Sequence, residues 1–406
     1  MLGASRAARV LIYSHDSFGL GHLRRCRAIA HALVETHKDL SVLILTGSPI
    51  IGSFDFRARV DFVRIPGIIK LRNGDYTSLK LHIDIEETLA MRESIIRHTA
   101  EAFDPDIFIV DKEPLGLQGE VEGTLDALQA RGVPLVLGLR DVMDEPALLA
   151  PEWRRKNAGP ALSRYYDSIW VYGLPQICNP LEGIVLPDSV RRKTVYTGYL
   201  RRTEPMDIIP QPLPDKISEP FILITPGGGG DGEEFVDWVL RAYEHDNDLP
   251  HPALIVLGPF MQTERQAEFI ERADALPSVA AIRFHSHMEN LMARATGIVS
   301  MGGYNTFCEI LSFDKRALIV PRTRPRREQF IRTSRAQELG LVSMLCDDAV
   351  RDPYAMATAL RQLTQQKRPS ESVVPGLLDG LANVNRLAEQ LIRQPRPLVR
   401  FAEHRA

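Results

Sequence analysis

Four side chains in this sequence join a titratable group to a position that a ligand can reach: His22, Asp111, Asp141 and Glu309. His22 lies in residues 14–25 (SHDSFGLGHLRR), directly after the apolar run 9–13 (RVLIY). Gly19 and Gly21 flank it and open space for a substrate. A histidine at a strand–helix junction commonly serves structure alone. With glycines beside it, His22 is a candidate general base, because imidazole is the side chain whose ordinary pKa suits proton removal near neutrality. Asp111 ends the apolar stretch 106–110 (DIFIV) and is expected to face the same crevice. Asp141 belongs to a polar cluster, residues 140–146, at the end of the apolar stretch 134–139. That cluster reads either as an acceptor or base site, or as a helix cap with salt bridges.

Glu309 sits in residues 299–311 (VSMGGYNTFCEIL). A strand ends, Gly302 and Gly303 turn the chain, and a helix follows. Asn305 or Thr306 is expected to cap it by accepting from the free N–H groups of its first turn. Phe307, Ile310 and Leu311 form one apolar face, which leaves Glu309 on the open side. Two glycines, a helix N-terminus and one carboxylate suit a nucleotide, with phosphate or sugar at the helix start and ribose hydroxyls on Glu309. The alternative is a strand–turn–helix corner with a surface glutamate.

Residues 227–232 (GGGGDG) contain the spacing GxGxxG. A dinucleotide site also needs an acidic residue at the end of the next strand. Here that position reads Leu257-Gly258-Pro259-Phe260, without a carboxylate. The surviving reading is a loop in which Gly228, Gly229 and Gly230 approach a diphosphate. Asp231 must then point away from phosphate or meet another group. Residues 321–329 carry four arginines, candidates for neutralising a leaving diphosphate or else a solvated basic loop. Glu328 and Gln329 follow at a helix start and are placed to bond sugar hydroxyls. His285 and His287 lack a third ligand at metal spacing, so no metal is expected.

The elements that must position these residues alternate as short strands and helices, the pattern of parallel α/β domains. Strand, glycine loop and helix occur twice, at residues 9–33 and again from residue 221. We divide the 406 residues into a first domain (1–202), a proline-rich linker (203–220), a second domain (221–374) and a terminal helical segment (375–406), expected to pack back on the first domain. The formal net charge of −3 gives no basic stripe for nucleic acid. Four scattered cysteines, no secretory leader pattern and no apolar run of spanning length point to a cytoplasmic protein. The mixed apolar and basic residues 66–74 read as a packed loop or as a peripheral membrane contact.

Taken in order, these motifs resemble the family 28 (MurG-like) glycosyltransferases. Gly19-Leu20-Gly21-His22 resembles the family's GGH loop, and residues 227–230 its diphosphate-side loop. Residues 303–309 are similar to its G-A-x-T-x-x-E element, and Glu328-Gln329 to its Q-Q segment. His285 lies where the family backbone reads uracil. The resemblance implies a GT-B fold, two Rossmann-like doubly wound domains facing a cleft. It implies transfer of a sugar, a hexosamine by analogy, from a UDP-sugar donor with inversion and without metal or other cofactor. Its glutamate implies ribose contacts for Glu309, and its histidine a base role for His22, with Asp111 and Asp141 as further candidates. The acceptor stays open, lipid-linked molecules included. Glu328 in place of the first Gln and Asp231 depart from the family pattern, and the continuation Leu23-Arg24-Arg25 resembles the GHxxR of related sugar-nucleotide hydrolases. A hydrolase, an epimerase or a non-catalytic sugar-nucleotide-binding subunit are therefore alternatives.

Overall fold

The computed structural model describes residues 7–16, 21–71, 75–204, 212–228, 230–347 and 349–394. Gly19 and Gly229, both named above, lie outside the described residues, as do residues 72–74 and 205–211.

The first domain runs β1 (Ala8–Ser14), α1 (Gly21–Thr36), β2 (Leu40–Thr46), β3 (Val60–Arg64), β4 (Ile68–Lys70), β5 (Tyr76–Ser78), α2 (Ile85–Phe103), β6 (Ile107–Asp111), α3 (Glu122–Ala130), β7 (Leu135–Arg140), α4 (Pro146–Arg155), α5 (Ala158–Arg164), β8 (Ser168–Tyr172), α6 (Asp188–Arg192) and β9 (Thr194–Tyr196). Central strands are apolar without alternation because helices cover both faces. On β1, Val10 and Ile12 join Cys26, Ile29 and Leu33 of α1 on one face. Leu11 and Tyr13 meet Leu125 of α3 on the other.

The second domain repeats the scheme with β10 (Ile222–Thr225), α7 (Glu233–His245), β11 (Ala253–Val256), α8 (Thr263–Ala275), β12 (Val279–Ile282), α9 (Met288–Arg294), β13 (Gly297–Ser300), α10 (Tyr304–Ser312), β14 (Arg316–Ile319), α11 (Glu328–Glu338), β15 (Ser343–Met344), α12 (Pro353–Leu363) and α13 (Gly380–Arg393). Among the described residues the two large sheets are parallel throughout, ordered β3-β2-β1-β6-β7-β8-β9 and β12-β11-β10-β13-β14-β15. In each, the order reverses beside the first strand: between β1 and β6, and between β10 and β13. Helices leave to opposite faces there and open a crevice at the strand C-terminal ends, where such sheets bind ligands.

Three local expectations change. Helix α1 starts at Gly21, so His22, Arg24 and Arg25 occupy its first turn rather than a preceding loop. Helix α10 is capped by Gly303 without a side-chain bond. Asn305 is drawn into other bonds: its Nδ2 donates to Gly21 O and its Oδ1 accepts from Arg202 Nη2. Part of residues 66–74 forms the hairpin β4–β5 instead of a loop, with Ile68 opposite Ser78. Strands of three residues carry too little alternation to be read.

The terminal helix α13 crosses to the first domain. Asn383 Nδ2 donates to Thr197 O, and Asn385 Nδ2 to Thr36 Oγ1 at the end of α1. Gly198 permits this approach. Its φ is +89°, and a Cβ there would stand 2.4 Å from Gly376 O. Phe307 of α10 meets Tyr199 edge-on, which continues one apolar core across both domains.

Candidate active site

The two strand-order reversals face each other across a cleft with a cavity of about 240 Å³. Its first-domain wall carries Gly21, His22, Arg24, Arg25 and Arg140. The opposite wall carries the turn after β10 and the start of α10.

His22 is held by the neighbouring strand end. Its Nδ1 bonds Asp111 Oδ2 at the end of β6. Arg25, one turn along α1, donates to the same carboxylate from Nε at 2.8 Å and from Nη2 at 2.7 and 2.8 Å. Burial alone would raise the Asp111 carboxyl, but Arg25 and His22 hold it well below the usual range. An ionised carboxylate accepts only, so the shorter bond to Asp111 favours the proton on His22 Nδ1 over the 3.0 Å approach of Arg25 Nη2 to the same nitrogen, and leaves Nε2 as the basic atom. Burial pushes His22 down to about 4 with Asp111 opposing, which keeps the ring neutral at pH 7. His15 stands edge-on to it with ring centroids 5.6 Å apart.

Across the cleft, Glu309 lines the cavity yet is fully buried, not on an open helix face. Arg24, reaching over from α1, bonds its Oε1 and also donates to Glu289 Oε1 at 3.0 Å. Among the described residues Glu309 Oε2 has no partner. Burial pushes this carboxyl up to about 7, against the pull of Arg24. Gly303 and Gly227 each present open space: a Cβ built on either meets nothing within 4 Å. Gly228 lines the cavity; Gly230 does not. Gly258, with φ +96°, packs under this loop so closely that a Cβ would stand 2.7 Å from Gly227 O. The strand end where a dinucleotide site would carry its acid is therefore filled by the glycine loop itself.

His285, Asn305, Thr306, Glu328 and Gln329 also line the cavity. His285 Nδ1 accepts from His287 N at 3.1 Å. Gln329 Oε1 accepts from Arg322 N at 3.1 Å. Arg322 reaches both Asp231 and Glu328, which gives Asp231 a partner other than phosphate. Among the described residues, four buried polar atoms without partners belong to side chains lining this one cavity: Glu309 Oε2, Glu328 Oε2, Arg322 Nε and Arg140 Nε. Buried polar groups are almost always paired, so this concentration marks a place for a polar ligand. Among the described residues no group of three or more metal-ligating side chains occurs.

Asp111 and Asp141 do not line the cavity. Asp141 accepts from Arg332 through both oxygens and from Tyr199 Oη at 2.7 Å. The rest of the 140–146 cluster also meets the second domain. Asp144 Oδ1 accepts from Arg327 N at 3.0 Å, and Glu145 pairs with the Arg327 side chain. Arg326 donates to Glu152 Oε2 at 2.9 Å. Two of the segment's four arginines, Arg326 and Arg327, thus pair with acids of the first domain, while Arg322 pairs within the second.

Arg24, Arg25 and Arg332 were not expected at the site, and Arg140 only as a member of the 140–146 cluster. Arg25 carried a usable signal, because it lies one helical turn after His22 and so faces the same way. Arg24 and Arg332 act on residues more than 190 positions away in two of their contacts, beyond the reach of any local pattern.

Comparison with known proteins bears on the fold. Residues 227–373 match the profile of the glycosyltransferase family 28 C-terminal domain. No curated protein matches the sequence. Solved structures that match along nearly the whole chain include the calicheamicin glycosyltransferase CalG4, with 16% identity, 95% of this chain and 98% of that one covered, and a TM-score of 0.58. Medicago truncatula UGT71G1, complexed with UDP-glucose, has 14% identity, the same coverages and a TM-score of 0.60. TcCGT1, in complex with UDP, has 12% identity, coverages of 95% and 94%, and a TM-score of 0.62. At these identities the likeness establishes the fold, which is GT-B.

Proposed function

We propose that this protein is a glycosyltransferase that moves a sugar, a hexosamine by family analogy, from a UDP-sugar to an acceptor hydroxyl with inversion. The observation that carries the reading is one cavity bounded by His22 on one wall and by Glu309 and the Gly227–Gly228 turn on the other. The family 28 match on the second domain and the UDP and UDP-glucose bound by proteins of like fold support the donor class.

In this reading the nucleotide lies on the second domain. The ribose hydroxyls donate to Glu309 Oε2, and the diphosphate meets the free N–H groups at the start of α10 beside Gly303. Glu328 and Gln329 bond the sugar hydroxyls. The acceptor enters from the first domain. His22 Nε2 removes its hydroxyl proton, the acceptor oxygen bonds to the anomeric carbon, and the bond to the diphosphate oxygen breaks with its electron pair leaving on UDP. Asp111 fixes the tautomer and stabilises the imidazolium that forms; Arg25 fixes Asp111. Asp141 holds the two domains in register and takes no proton.

The leaving group is to be stabilised by helix N-termini and by Arg322, whose Nε is unpartnered among the described residues and which lines the cavity, without metal. Water in place of the acceptor would give hydrolysis through the same base. Product analysis separates the two: incubation with a UDP-sugar panel releases UDP with free sugar in one case, and only upon acceptor addition in the other. If no nucleotide sugar is consumed by wild type with any acceptor, and His22→Ala behaves identically, the catalytic reading is lost.

A further inference from the structure

Arg140 ends β7 and lines the cleft. Every other arginine lining the cleft holds a carboxylate: Arg24 has Glu309 and Glu289, Arg25 has Asp111, Arg322 has Asp231 and Glu328, and Arg332 has Asp141. Among the described residues, none bonds or ion-pairs with the Arg140 guanidinium, and its Nε is buried without a partner. Glu328 attracts it from across the cleft, but that carboxylate already bonds Arg322. Burial pushes Arg140 down to about 10.

Lys112 stands at the end of the adjacent strand β6, one residue beyond the Asp111 that orients His22. Its N–H donates to Gly138 O at 2.8 Å, which ties it to β7. Its φ of +70° is left-handed, a conformation that is strained for a lysine. The ammonium lies 3.4 Å from Glu113, which Lys156 shares at 3.1 Å. Burial pushes Lys112 down to about 8; Glu113 opposes this, while Arg140 and Arg326 add to it. Two half-buried cations on neighbouring strand ends, one with no carboxylate bonded to it among the described residues, are held together at a cost that an anionic ligand would reduce.

We propose that Arg140, backed from the adjacent strand end by Lys112, which does not itself line the cavity, forms an anion-binding subsite on the first-domain wall, which takes a carboxylate or phosphate group carried by the acceptor or by the transferred sugar. It is separate from the donor diphosphate, which belongs to the second domain. The proposal rests on the glycosyltransferase reading of the cleft and deepens it by giving the substrate a charge. A bidentate guanidinium contact next to His22 would seat the anion and bring a neighbouring hydroxyl to the base.

Calorimetric titration tests this with inorganic pyrophosphate as the probe, on protein saturated with UDP. Wild type is expected to bind pyrophosphate beside UDP, and Arg140→Gln to weaken that binding tenfold or more while UDP affinity stays within twofold. Arg140→Lys, which keeps the charge but loses the fork, should fall between them, and thermal melting checks that each variant is folded. A second arm compares UDP-glucose with UDP-glucuronate. A tenfold preference for the uronate that Arg140→Gln erases assigns the anion to the sugar. Pyrophosphate binding without that preference assigns it to the acceptor. A tenfold loss of UDP affinity in Arg140→Gln would place Arg140 on the diphosphate and overturn the proposal, as would ligand affinities that no Arg140 variant changes. If UDP fails to bind wild type, the glycosyltransferase reading fails separately, and the pyrophosphate titration without UDP still reads Arg140.

Discussion

Arg332 of the second domain donates from Nε and Nη2 to the two oxygens of Asp141 of the first, each at 2.6 Å, with neither side chain exposed. The same guanidinium gives Nη1 to Gly302 O at 3.0 Å, in the turn that starts α10. Tyr304, the first residue of α10, lies between this guanidinium and that of Arg25, with ring-centroid distances of 5.7 and 5.5 Å. One buried ion pair therefore ties the donor-side turn to the sheet that carries the candidate base. Removing one partner of such a pair leaves an uncompensated charge. Arg332→Met is expected to lower stability by about 3–5 kcal/mol. Asp141→Asn combined with Arg332→Met should recover much of that, as thermal or urea unfolding of the three variants would show.

His22→Ala is expected to lower kcat about 10²–10⁴-fold while UDP affinity stays within a few-fold, because the base touches only the acceptor proton. Asp111→Asn should also lower kcat, since an amide can present the wrong partner to Nδ1 and lose the tautomer. Steady-state rates with parallel UDP titrations check both. Equal losses in kcat and in UDP affinity would move His22 to the donor site.

Glu309 gives a pH signature. Its folded pKa of about 7 lies above the 4.5 of an ordinary glutamate, so the folded state holds the proton more tightly between these values. The stability this contributes is fully present below about 4.5 and is lost as pH rises through about 7. Wild type should therefore lose stability relative to Glu309→Gln as pH rises from about 5 to about 8. UDP affinity should move the other way and weaken several-fold from pH 8 to pH 6, because the ionised carboxylate accepts the ribose hydroxyls more strongly. The kcat profile follows His22 instead: with its pKa near 4, turnover should hold until the pH falls below about 5. A flat UDP affinity across pH 6–8 would detach Glu309 from the ribose.

Gly303 separates binding from folding. Its backbone, φ −56° and ψ 151°, suits any L residue, and a Cβ there meets open cavity. Gly303→Val is expected to melt within a few degrees of wild type and to bind UDP at least tenfold more weakly. A variant that binds UDP normally would show that the nucleotide does not approach this turn.

Much of this architecture could be read from residue order. Apolar runs such as 9–13 and 106–110 marked central strands, because strands buried on both faces carry no polar alternation. The Gly302-Gly303 turn and Glu309 were legible because a helix start has a short-range pattern. The burial of Glu309 was not legible, since it depends on Arg24 arriving from another domain. Asn305 looked like a cap until Gly21 and Arg202 competed for its side chain. The arginines of residues 322–327 resembled a phosphate clamp, yet Asp144, Glu145 and Glu152 pair with two of them, Arg326 and Arg327, and Asp231 and Glu328 with Arg322. Pairings of this kind are set by docking of two domains, which no local spacing records.

The most direct test of the central claim is a calorimetric comparison of UDP, GDP, dTDP, ADP and NAD binding to wild type and to Glu309→Gln. The account predicts that UDP binds wild type most tightly and that the variant loses at least tenfold of that affinity. Binding of NAD with no response to UDP would return the glycine loop to a dinucleotide site and contradict the account.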